Sequence, residues 1–420
     1  MQLNQNKLLI KLAEAGKKKI EWAGSQMKVL AKIRDRFFAE KPLRGITLAA
    51  CLHITAETAN LALTLTAGGA KVVLCASNPL STQDDVAASL VENYKINTFA
   101  IKGEDKKTYY NHLNLCLDFH PQITMDDGAD LVSLLHSKRK PQLKEILGSS
   151  EETTTGVIRL KAMLKDNALK IPIMAVNDSL TKHMFDNRYG TGQSTIDGIL
   201  RATNVLIAGK KFLVCGYGWC GRGLAARARG LGANVIVCEV NPVKALEAMM
   251  EGFDVMPMME AVKVADIIVT ATGNKHALGQ THFKNLKNGV IIANTGHFNV
   301  EFDYAGLKKI AKSTRTLRPF LEEITLSEGR KIYALGEGRL INLVSAEGHP
   351  PDVMDMSFAN QALAGEFFVK NQGKLEPGVY KIPEEMDQEI AMIKLQTMGV
   401  GIDKLTAEQK AYLSSWSEGT

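Results

Sequence analysis

The segment KKFLVCGYGWCGRGLAARARG, residues 210–230, decides the fold. An apolar run of strand length leads into glycines at positions 216, 218 and 221, and an alanine-rich helical run follows. Glycines in a G-x-G-x-x-G turn let the backbone approach a pyrophosphate, and the start of the helix supplies N–H groups and a favourable dipole. The segment therefore predicts a dinucleotide-binding strand–turn–helix unit.

The choice of dinucleotide depends on Glu239, which lies at the end of the next strand, within the run NVIVCEV. It lies 18 residues beyond Gly221 (239 − 221). An acidic residue about 20 residues after the motif binds the ribose hydroxyls of NAD. A carboxylate there repels the 2′-phosphate of NADP, so we predict NAD; Lys244 nearby weakens this preference slightly.

Strand-like and helix-like runs alternate on both sides of this unit. GITLAAC, KVVLCAS, NTFAIK, QITMDD and IPIMAV form a first series, and KKFLVCG, NVIVCEV, DIIVTAT and GVIIANTG form a second. Such alternation predicts parallel sheets. We predict an α/β fold with two Rossmann-like, doubly wound domains joined by hinges, and a C-terminal helical extension.

The predicted limits follow from the position of the polar segment NDSLTKHMFDNRYGTGQS, residues 177–194, between the two series. We expect a substrate-binding and catalytic domain over 1–180, a hinge over 181–192 and an NAD-binding domain over 193–347. Residues 348–395 return to the first domain, and 396–420 form a short helical segment.

Polar side chains follow several strand-like runs of the first series. They are His53, Thr55 and Glu57; Ser77 and Asn78; Asp126, Asp127 and Asp130; and Asn177 and Asp178. Ligands bind at the carboxyl ends of parallel strands. The first domain is therefore expected to carry a small-molecule site.

Composition excludes several other classes. No apolar run approaches the roughly 18 residues of a membrane span. The net charge is +6, and the basic residues form only short clusters such as GKKK and SKRK. We expect neither a membrane nor a nucleic-acid partner. The six cysteines show no C-x-x-C spacing, which favours reduced thiols, a cytoplasmic location and no metal site.

Several blocks in order resemble the S-adenosylhomocysteine hydrolase family over nearly the whole chain. They are NPLSTQDDVAA, DDGAD, SEETTTG, NDSLTKHMFDNRYGTGQS, GYGWCGRG, NTGHF, GEGRLINL and GHPPDVMDMSFANQALA. The form of the glycine loop and the ending WSEGT are similar to the short archaeal and thermophilic-bacterial type. The resemblance implies that retained NAD oxidises the substrate ribose at C3′, that loss of the C4′ proton expels homocysteine, and that water addition and re-reduction yield adenosine.

The resemblance also implies site residues. The catalytic positions are His53, Asp127, Glu152, Lys182, Asp186 and His297. The substrate-binding positions are Thr55, Glu57, Asp127, Glu152, Lys182, Asp186, His297 and His349. The cofactor-binding positions are Thr153, Thr154, Thr155, Asn187, Gly216, Gly218, Trp219, Cys220, Gly221, Arg222, Gly223, Glu239, Lys244, Thr272, Asn274, Thr295, Gly296, His297 and Asn342.

The implied roles set conditions on pKa values. Lys182 and Asp186 match a pair at the 3′-hydroxyl, and a lysine acts as a base only if burial or neighbours lower its pKa. His53 and Asp127 match the groups that handle protons at C4′ and C5′. Carboxylate–imidazole pairs transfer protons near neutral pH.

The base of the substrate is inferred from Thr55 and Glu57. Adenine offers an acceptor at N1 and a donor at N6, which suit a hydroxyl and a carboxylate; a lysine in place of the glutamate would suit hypoxanthine. We therefore expect an adenosyl substrate, with S-inosylhomocysteine as the alternative. An ordinary NAD-dependent dehydrogenase would not explain the groups around Lys182 and His53, and a non-catalytic regulator would be expected to have lost some of them.

Four features depart from the family pattern. The chain stops at SSWSEGT, so we expect no tail reaching a neighbour's NAD, weaker NAD retention, and a homotetramer, a dimer of dimers, held together in another way. Thr191 stands in place of a frequent cysteine, Lys244 in place of asparagine, and Glu347 in place of methionine.

Overall fold

The computed structural model of the protein describes residues 2–417, with side chains from residue 7 onward. The strands are β1 (Thr47–Leu52), β2 (Lys71–Ala76), β3 (Asn97–Phe99), β4 (Ile123–Asp126), β5 (Gly148–Glu151), β6 (Pro172–Ala175), β7 (Lys211–Cys215), β8 (Asn234–Cys238), β9 (Asp254–Val255), β10 (Ile267–Thr270), β11 (Val290–Asn294), β12 (Ala311–Arg318), β13 (Leu321–Leu326), β14 (Lys331–Leu335) and β15 (Gly378–Lys381).

The helices connect and cover these strands. They are α1 (Gln2–Gln26), α2 (Lys28–Glu40), α3 (Ala56–Ala67), α4 (Asp84–Glu92), α5 (Lys106–Leu117), α6 (Asp130–Ser137), α7 (Thr154–Lys165), α8 (Leu180–Lys182), α9 (Thr191–Thr203), α10 (Trp219–Gly230), α11 (Pro242–Met250), α12 (Met258–Val264), α13 (Gln280–Phe283), α14 (Tyr304–Lys309), α15 (Ile341–Val344), α16 (Pro351–Lys370), α17 (Glu384–Thr397) and α18 (Ala407–Leu413). Short 3₁₀ turns cover Lys140–Glu145, Val176–Asp178 and Gly336–Gly338, and a π-helix covers His183–Gly190.

The first sheet is wholly parallel, in the order β15-β6-β5-β4-β1-β2-β3. Apolar clusters fill both of its faces, one beneath helices that include α2, α3 and α16 and the other beneath α5, α6 and α7. Its last strand, β15, comes from the far end of the chain, after the second sheet is complete. The chain therefore crosses back to the first sheet.

The second sheet has the order β12-β13-β14-β11-β10-β7-β8-β9. Its pairs from β14 to β9 are parallel, and β12, β13 and β14 are antiparallel. The predicted α/β class with two Rossmann-like units is confirmed, and the antiparallel edge is an addition to it. The sequence pattern did not reveal β12, which is exposed along most of its length, or the polar strand β5.

Residues 177–194 form the connection between the two sheets, and they are mostly helical. Helix α8, the π-helix and α9 follow one another without a break. In the π-helix, Asp186 and Asn187 are buried, and π-helical turns occur frequently at functional sites. The polar composition of this segment therefore belongs to a helical connection that turns polar side chains inward.

No helix within residues 2–417 combines the length and the apolar character needed to cross a membrane.

Candidate active site

A cavity of about 820 Å³ is lined by residues from both sheets. His53, Asp127 and Glu152 enter it just beyond the carboxyl ends of β1, β4 and β5. Gly216 and Glu239 enter it from the ends of β7 and β8 in the second sheet. The carboxyl ends of parallel strands in both sheets therefore open into one space, where ligands of such strands bind.

Nearly all of the predicted site residues line this cavity. They are His53, Thr55, Glu57, Asp127, Glu152, Thr153, Thr154, Thr155, Lys182, Asp186, Asn187, Gly216, Gly218, Trp219, Cys220, Glu239, Lys244, Thr272, Asn274, Thr295, Gly296, His297, Asn342 and His349.

Gly221, Arg222 and Gly223 were predicted to contact the cofactor, but they are not among the lining residues. A Cβ at Gly221 would collide with the carbonyl oxygen of Gly216, and one at Gly223 would collide with that of Arg188. Arg222 pairs with Glu247, and its guanidinium lies 4.6 Å from the centre of the Trp219 ring. Gly221 and Gly223 therefore allow close backbone packing around the loop, and the cofactor contacts predicted for these three residues stay a prediction.

The loop after β7 fits a dinucleotide. Gly216 has a φ of +97°, a conformation that favours glycine, and a Cβ at Gly218 would meet no described atom within 4 Å. Gly218 begins α10 without a side-chain cap, so the first N–H groups of that helix keep their capacity to bind an anion. Open space lies where a pyrophosphate would approach the loop.

Glu239 and Asn342 add polar groups to the same pocket. The Glu239 carboxylate accepts hydrogen bonds from the backbone N–H groups of Tyr217 (2.7 Å), Val240 (2.7 Å) and Asn241 (2.9 Å). Burial raises the pKa of Glu239, but these bonds and nearby Lys244 outweigh burial, and its pKa is lowered. The Oδ1 atom of buried Asn342 has no hydrogen-bond partner among the described residues, so it is ready to accept one from a ligand.

Lys182 lies in a buried polar cluster. Its Nζ is 2.8 Å from Asp186 Oδ2, 3.5 Å from Glu152 Oε1 and 2.8 Å from Asn187 Oδ1. Burial alone lowers the pKa of Lys182, but the two carboxylates outweigh it and the pKa is raised. Lys182 therefore holds its proton at neutral pH; the lowered pKa that a lysine needs in order to act as a base is not met in this arrangement, and its role as a base stays a prediction.

The two carboxylates of this cluster differ in protonation. Burial raises the pKa of Asp186, but Lys182 and His349 outweigh it and lower that pKa overall. Burial raises the pKa of Glu152 to about 7, although Lys182 opposes the shift and Gln361 Nε2 donates a hydrogen bond of 2.6 Å. Asp186 is therefore the ionised partner, and Glu152 is able to take up a proton near neutral pH.

A second cluster joins His53, Asp127 and His297. His53 Nε2 lies 3.1 Å from Asp127 Oδ2, and His297 Nδ1 lies 3.5 Å from Asp127 Oδ1. Burial lowers the pKa of His53 to about 4 despite the carboxylate. His53 is therefore neutral at neutral pH, and the proton transfer expected of this pair stays a prediction. Two imidazoles and a carboxylate can also bind a metal ion, and the absence of a metal stays a prediction.

Thr55 and Glu57 stand together at the start of α3. The hydroxyl oxygen of Thr55 caps the helix by accepting from the N–H of Thr58 at 3.5 Å, and the Glu57 side chain lies in the first turn. Burial raises the pKa of Glu57 to about 7. A carboxyl group that is only partly ionised at neutral pH thus faces the cavity.

The residues that depart from the family pattern make the following contacts in the structure. Thr191 Oγ1 lies 3.5 Å from Cys220 Sγ and 3.3 Å from His349 Nε2, so it joins the glycine loop to the Asp186–His349 pair. Glu347 is exposed and contacts Gln83 and Arg201 at the surface. Glu418, Gly419 and Thr420 of the ending WSEGT lie outside the described residues.

Sequence reasoning missed several residues that support the site. Ser81 Oγ lies 2.6 Å from His53 Nδ1, and Gln361 contacts Glu152 from α16. Glu301 accepts from the N–H groups of Thr272 and Gly273, both at 2.7 Å. Ser81 belongs to the family-like block NPLSTQDDVAA, but nothing in the pattern distinguishes it from its neighbours.

Comparison with known proteins identifies the family. The protein-family model described as "S-adenosyl-L-homocysteine hydrolase" matches residues 7–145 of the chain. A second family model, described as "S-adenosyl-L-homocysteine hydrolase, NAD binding domain", matches residues 187–348. The second match confirms the prediction of NAD as the cofactor.

Curated relatives named adenosylhomocysteinase match along almost the full length of the chain. The protein of Gloeothece citriformis is 61% identical over 98% of this chain and 96% of its own length. Those of Saccharolobus solfataricus and Aquifex aeolicus are 60% and 59% identical, each over 98% of both chains. These matches confirm the resemblance inferred from the sequence blocks: the chain belongs to the S-adenosyl-L-homocysteine hydrolase family.

Proposed function

We propose that this enzyme hydrolyses S-adenosyl-L-homocysteine reversibly to adenosine and L-homocysteine, with NAD retained as a catalytic cofactor. The observation that carries the proposal is the single cavity that combines a dinucleotide loop with two buried proton-handling clusters. When bound, NAD supplies the reversible oxidation of the substrate ribose. A simple dehydrogenase reaction would not use the second cluster, formed by His53, Asp127 and His297.

We assign the Lys182 cluster to the ribose hydroxyls. Lys182 and Asp186 are placed at the 3′-hydroxyl, and Glu152 binds the adjoining hydroxyl. Because Lys182 holds its proton before substrate binds, it accepts the hydroxyl proton only after passing its own to a neighbour. Glu152 Oε1 lies 3.5 Å from Lys182 Nζ and is a near acceptor, but its pKa of about 7 lies below that of Lys182, so this transfer requires substrate and NAD to change the electrostatics of the cluster first.

We assign His53, Asp127 and His297 to the other side of the ribose, where protons move at C4′ and C5′. A neutral imidazole and a carboxylate beside one another provide one donor and one acceptor. His349 orients Asp186 through Nδ1 and also lines the substrate space.

Thr55 and Glu57 recognise the base in this proposal. The ionised form of Glu57 accepts a hydrogen bond from N6 of adenine, which favours the adenosyl substrate over the inosyl one. A site built to pair a polar group rejects an analogue that leaves the group unpaired. Equal or better kcat/KM with S-inosyl-L-homocysteine would contradict the assignment.

The NAD contacts are proposed for the lining residues near the glycine loop. Glu239, with Lys244 beside it, faces the adenosine ribose, and the backbone at Gly216 and Gly218 faces the pyrophosphate. The remaining contacts are assigned to Thr153, Thr154, Thr155, Asn187, Trp219, Cys220, Thr272, Asn274, Thr295, Gly296, His297 and Asn342.

We also propose that the predicted domain limits hold: residues 1–180 with 348–395, and residues 193–347. The segments near 181–192 and 345–352 would then act as hinges that close the cleft and exclude water. Gly223 packs closely against the backbone of Arg188, so this part of the segment would move together with the NAD-binding unit, and the bending would lie closer to the first domain. Equal separation of the two units with and without ligand, measured by small-angle scattering, would contradict closure.

One assay tests the reaction. The NAD-loaded protein is mixed with S-adenosyl-L-homocysteine while the released thiol is trapped and NADH absorbance is recorded. We expect thiol far in excess of NAD without net NADH. Stoichiometric NADH would instead indicate a dehydrogenase, and the absence of both signals would indicate a non-catalytic binding protein.

We further propose a cytoplasmic homotetramer built as a dimer of dimers. Apolar side chains near the C-terminal end are strongly exposed, among them Met398, Leu413 and Trp416, the last 96% exposed. Exposed apolar groups in one region are typical of an interaction surface. Light scattering of the parent protein and of Leu413→Ser and Trp416→Ser variants tests the tetramer and this surface. A parent protein with the mass of a monomer would contradict the tetramer, and variants with the same mass as a tetrameric parent would contradict the role of this surface.

A further inference from the structure

The Nδ1 side of His53 is enclosed by two serine hydroxyls. Ser81 Oγ lies 2.6 Å away and Ser77 Oγ lies 3.1 Å away, and both serines are buried. The Nε2 side faces Asp127 Oδ2 at 3.1 Å. Both ring nitrogens therefore have polar partners, and the partners decide which nitrogen carries the proton.

The Asp127 carboxylate only accepts hydrogen bonds, so its contact with His53 Nε2 is a hydrogen bond only in the tautomer that carries the proton on Nε2. Burial keeps His53 neutral, with a pKa of about 4, so the ring has a single N–H. Nδ1 must then accept a hydrogen bond. Ser81 is the nearer hydroxyl, although its Oγ also lies 3.1 Å from the carbonyl oxygen of Asn78, which competes for its proton.

We propose that Ser81 is a positioning residue that holds His53 in the tautomer protonated on Nε2. The inference concerns the proton-handling site of the proposed function and rests on that function for its catalytic consequence. With Nε2–H fixed toward Asp127, the carboxylate keeps its orientation and the imidazole keeps a donor on the cavity side. Without Ser81, Ser77 is the remaining hydroxyl beside Nδ1, and its own proton is also directed at Asp127 Oδ2 at 3.5 Å. Nδ1 then lacks a committed donor, so the ring proton can move to Nδ1 and donate to the Ser77 oxygen.

In that alternative tautomer two acceptors face each other across His53 Nε2 and Asp127 Oδ2. The pair then loses its hydrogen bond, and the donor on the cavity side disappears. Proton transfer at C4′ and C5′ should suffer, whereas oxidation at the 3′-hydroxyl, which uses the separate cluster around Lys182, should continue. This split distinguishes a tautomer effect from general damage to the site.

The direct test is ¹⁵N NMR of the NAD-loaded protein with ¹⁵N-labelled histidine, with the His53 signals assigned by a His53→Asn variant. A protonated ring nitrogen and an unprotonated one have different ¹⁵N chemical shifts, so the shifts of Nδ1 and Nε2 show which of the two carries the proton. We expect Nε2–H in the parent protein and a mixed or Nδ1–H population in Ser81→Ala. Nδ1–H in the parent protein, or an unchanged tautomer in Ser81→Ala, would overturn the proposal.

Kinetics provide the second readout. In Ser81→Ala we expect thiol release to fall on the order of 10- to 100-fold, which is at or below the roughly 100-fold lower limit for losing one acid–base group, because His53 itself remains. NADH formed in a single turnover with adenosine should change by less than about twofold, and Ser81→Thr should recover most of the thiol release. The matched control is Ser89→Ala, which removes a buried hydroxyl that donates to Asn93 at 3.0 Å in α4.

The outcomes separate this proposal from the proposed function. If the parent protein releases no thiol, the proposed function fails, and the NMR experiment still decides the tautomer. If Ser81→Ala slows NADH formation and thiol release equally, the positioning role is wrong. If Ser89→Ala has the same effect as Ser81→Ala, the loss reflects α4 packing and the proposal is likewise overturned.

Discussion

Replacing Lys182 with methionine tests how the buried charge cluster stabilises the protein. The substitution keeps an unbranched apolar stem but removes the ammonium that lies 2.8 Å from Asp186 and 3.5 Å from Glu152. All three side chains are almost fully buried, so the carboxylates cannot recover their solvation in water. Breaking a buried ion pair by removing one partner costs about 3–5 kcal/mol.

The matched control is Lys161→Met. Lys161 pairs with Asp178 at 3.1 Å, but its side chain is 56% exposed. An exposed pair of this kind contributes less than about 1 kcal/mol. The two variants therefore remove similar ion pairs that differ mainly in burial, and we expect their free energies of unfolding to differ by at least about 2 kcal/mol.

The pH dependence has a definite sign. The lowered pKa of Asp186 contributes stability above the unfolded-state pKa, and that contribution is lost as pH falls through the folded value. In Lys182→Met the pKa values of both carboxylates rise, so protonation relieves the buried charge as pH falls. The deficit relative to the parent protein should therefore be smaller at about pH 5.5 than at about pH 7.5.

The assay is guanidinium unfolding followed by circular dichroism, with NAD removed because a bound cofactor adds its own binding free energy. Unfolding midpoints of the parent protein and both variants are compared at the two pH values. Equal midpoints for Lys161→Met and Lys182→Met, or a Lys182→Met deficit that does not change with pH, would refute the reasoning.

Three further predictions concern ligands. Glu57→Lys should lower kcat/KM for the adenosyl substrate by on the order of 10⁴ and favour the inosyl one, measured with both substrates; an unchanged preference would remove Glu57 from base recognition. Because burial raises the pKa of Glu57 to about 7, kcat/KM for the adenosyl substrate should fall as pH drops through that value, and Glu57→Gln should lack this dependence when the two pH profiles are compared. Gly218→Ala should weaken NAD binding without changing thermal stability, because its Cβ projects into the open space expected to hold the pyrophosphate. Gly221→Ala should lower both NAD affinity and thermal stability, because its Cβ would strike the backbone of Gly216. NAD titration and thermal melting distinguish the two variants, and equal effects would contradict the loop assignment.

Much of the architecture could be predicted because it is encoded locally. The apolar runs that became β1, β4 and β7 differ in period and length from the helical runs around them. Strand β5 was missed because it reads GSSE, and its burial depends on Gly148, where a Cβ would strike the ring of Phe368 in α16. No local pattern reports a neighbour more than 200 residues away.

The sequence by itself determined the NAD loop, the acidic residue after it and the family, because these depend on residue types at short, fixed spacings. Tertiary structure alone decided the protonation of the site. Asp186 is ionised partly because His349 reaches it from 163 residues away, and Glu152 meets Gln361 across 209 residues. A pKa depends on burial and on charges nearby in space. The proton on Lys182, the neutrality of His53 and the contact with Ser81 therefore emerge only when the fold brings these side chains together.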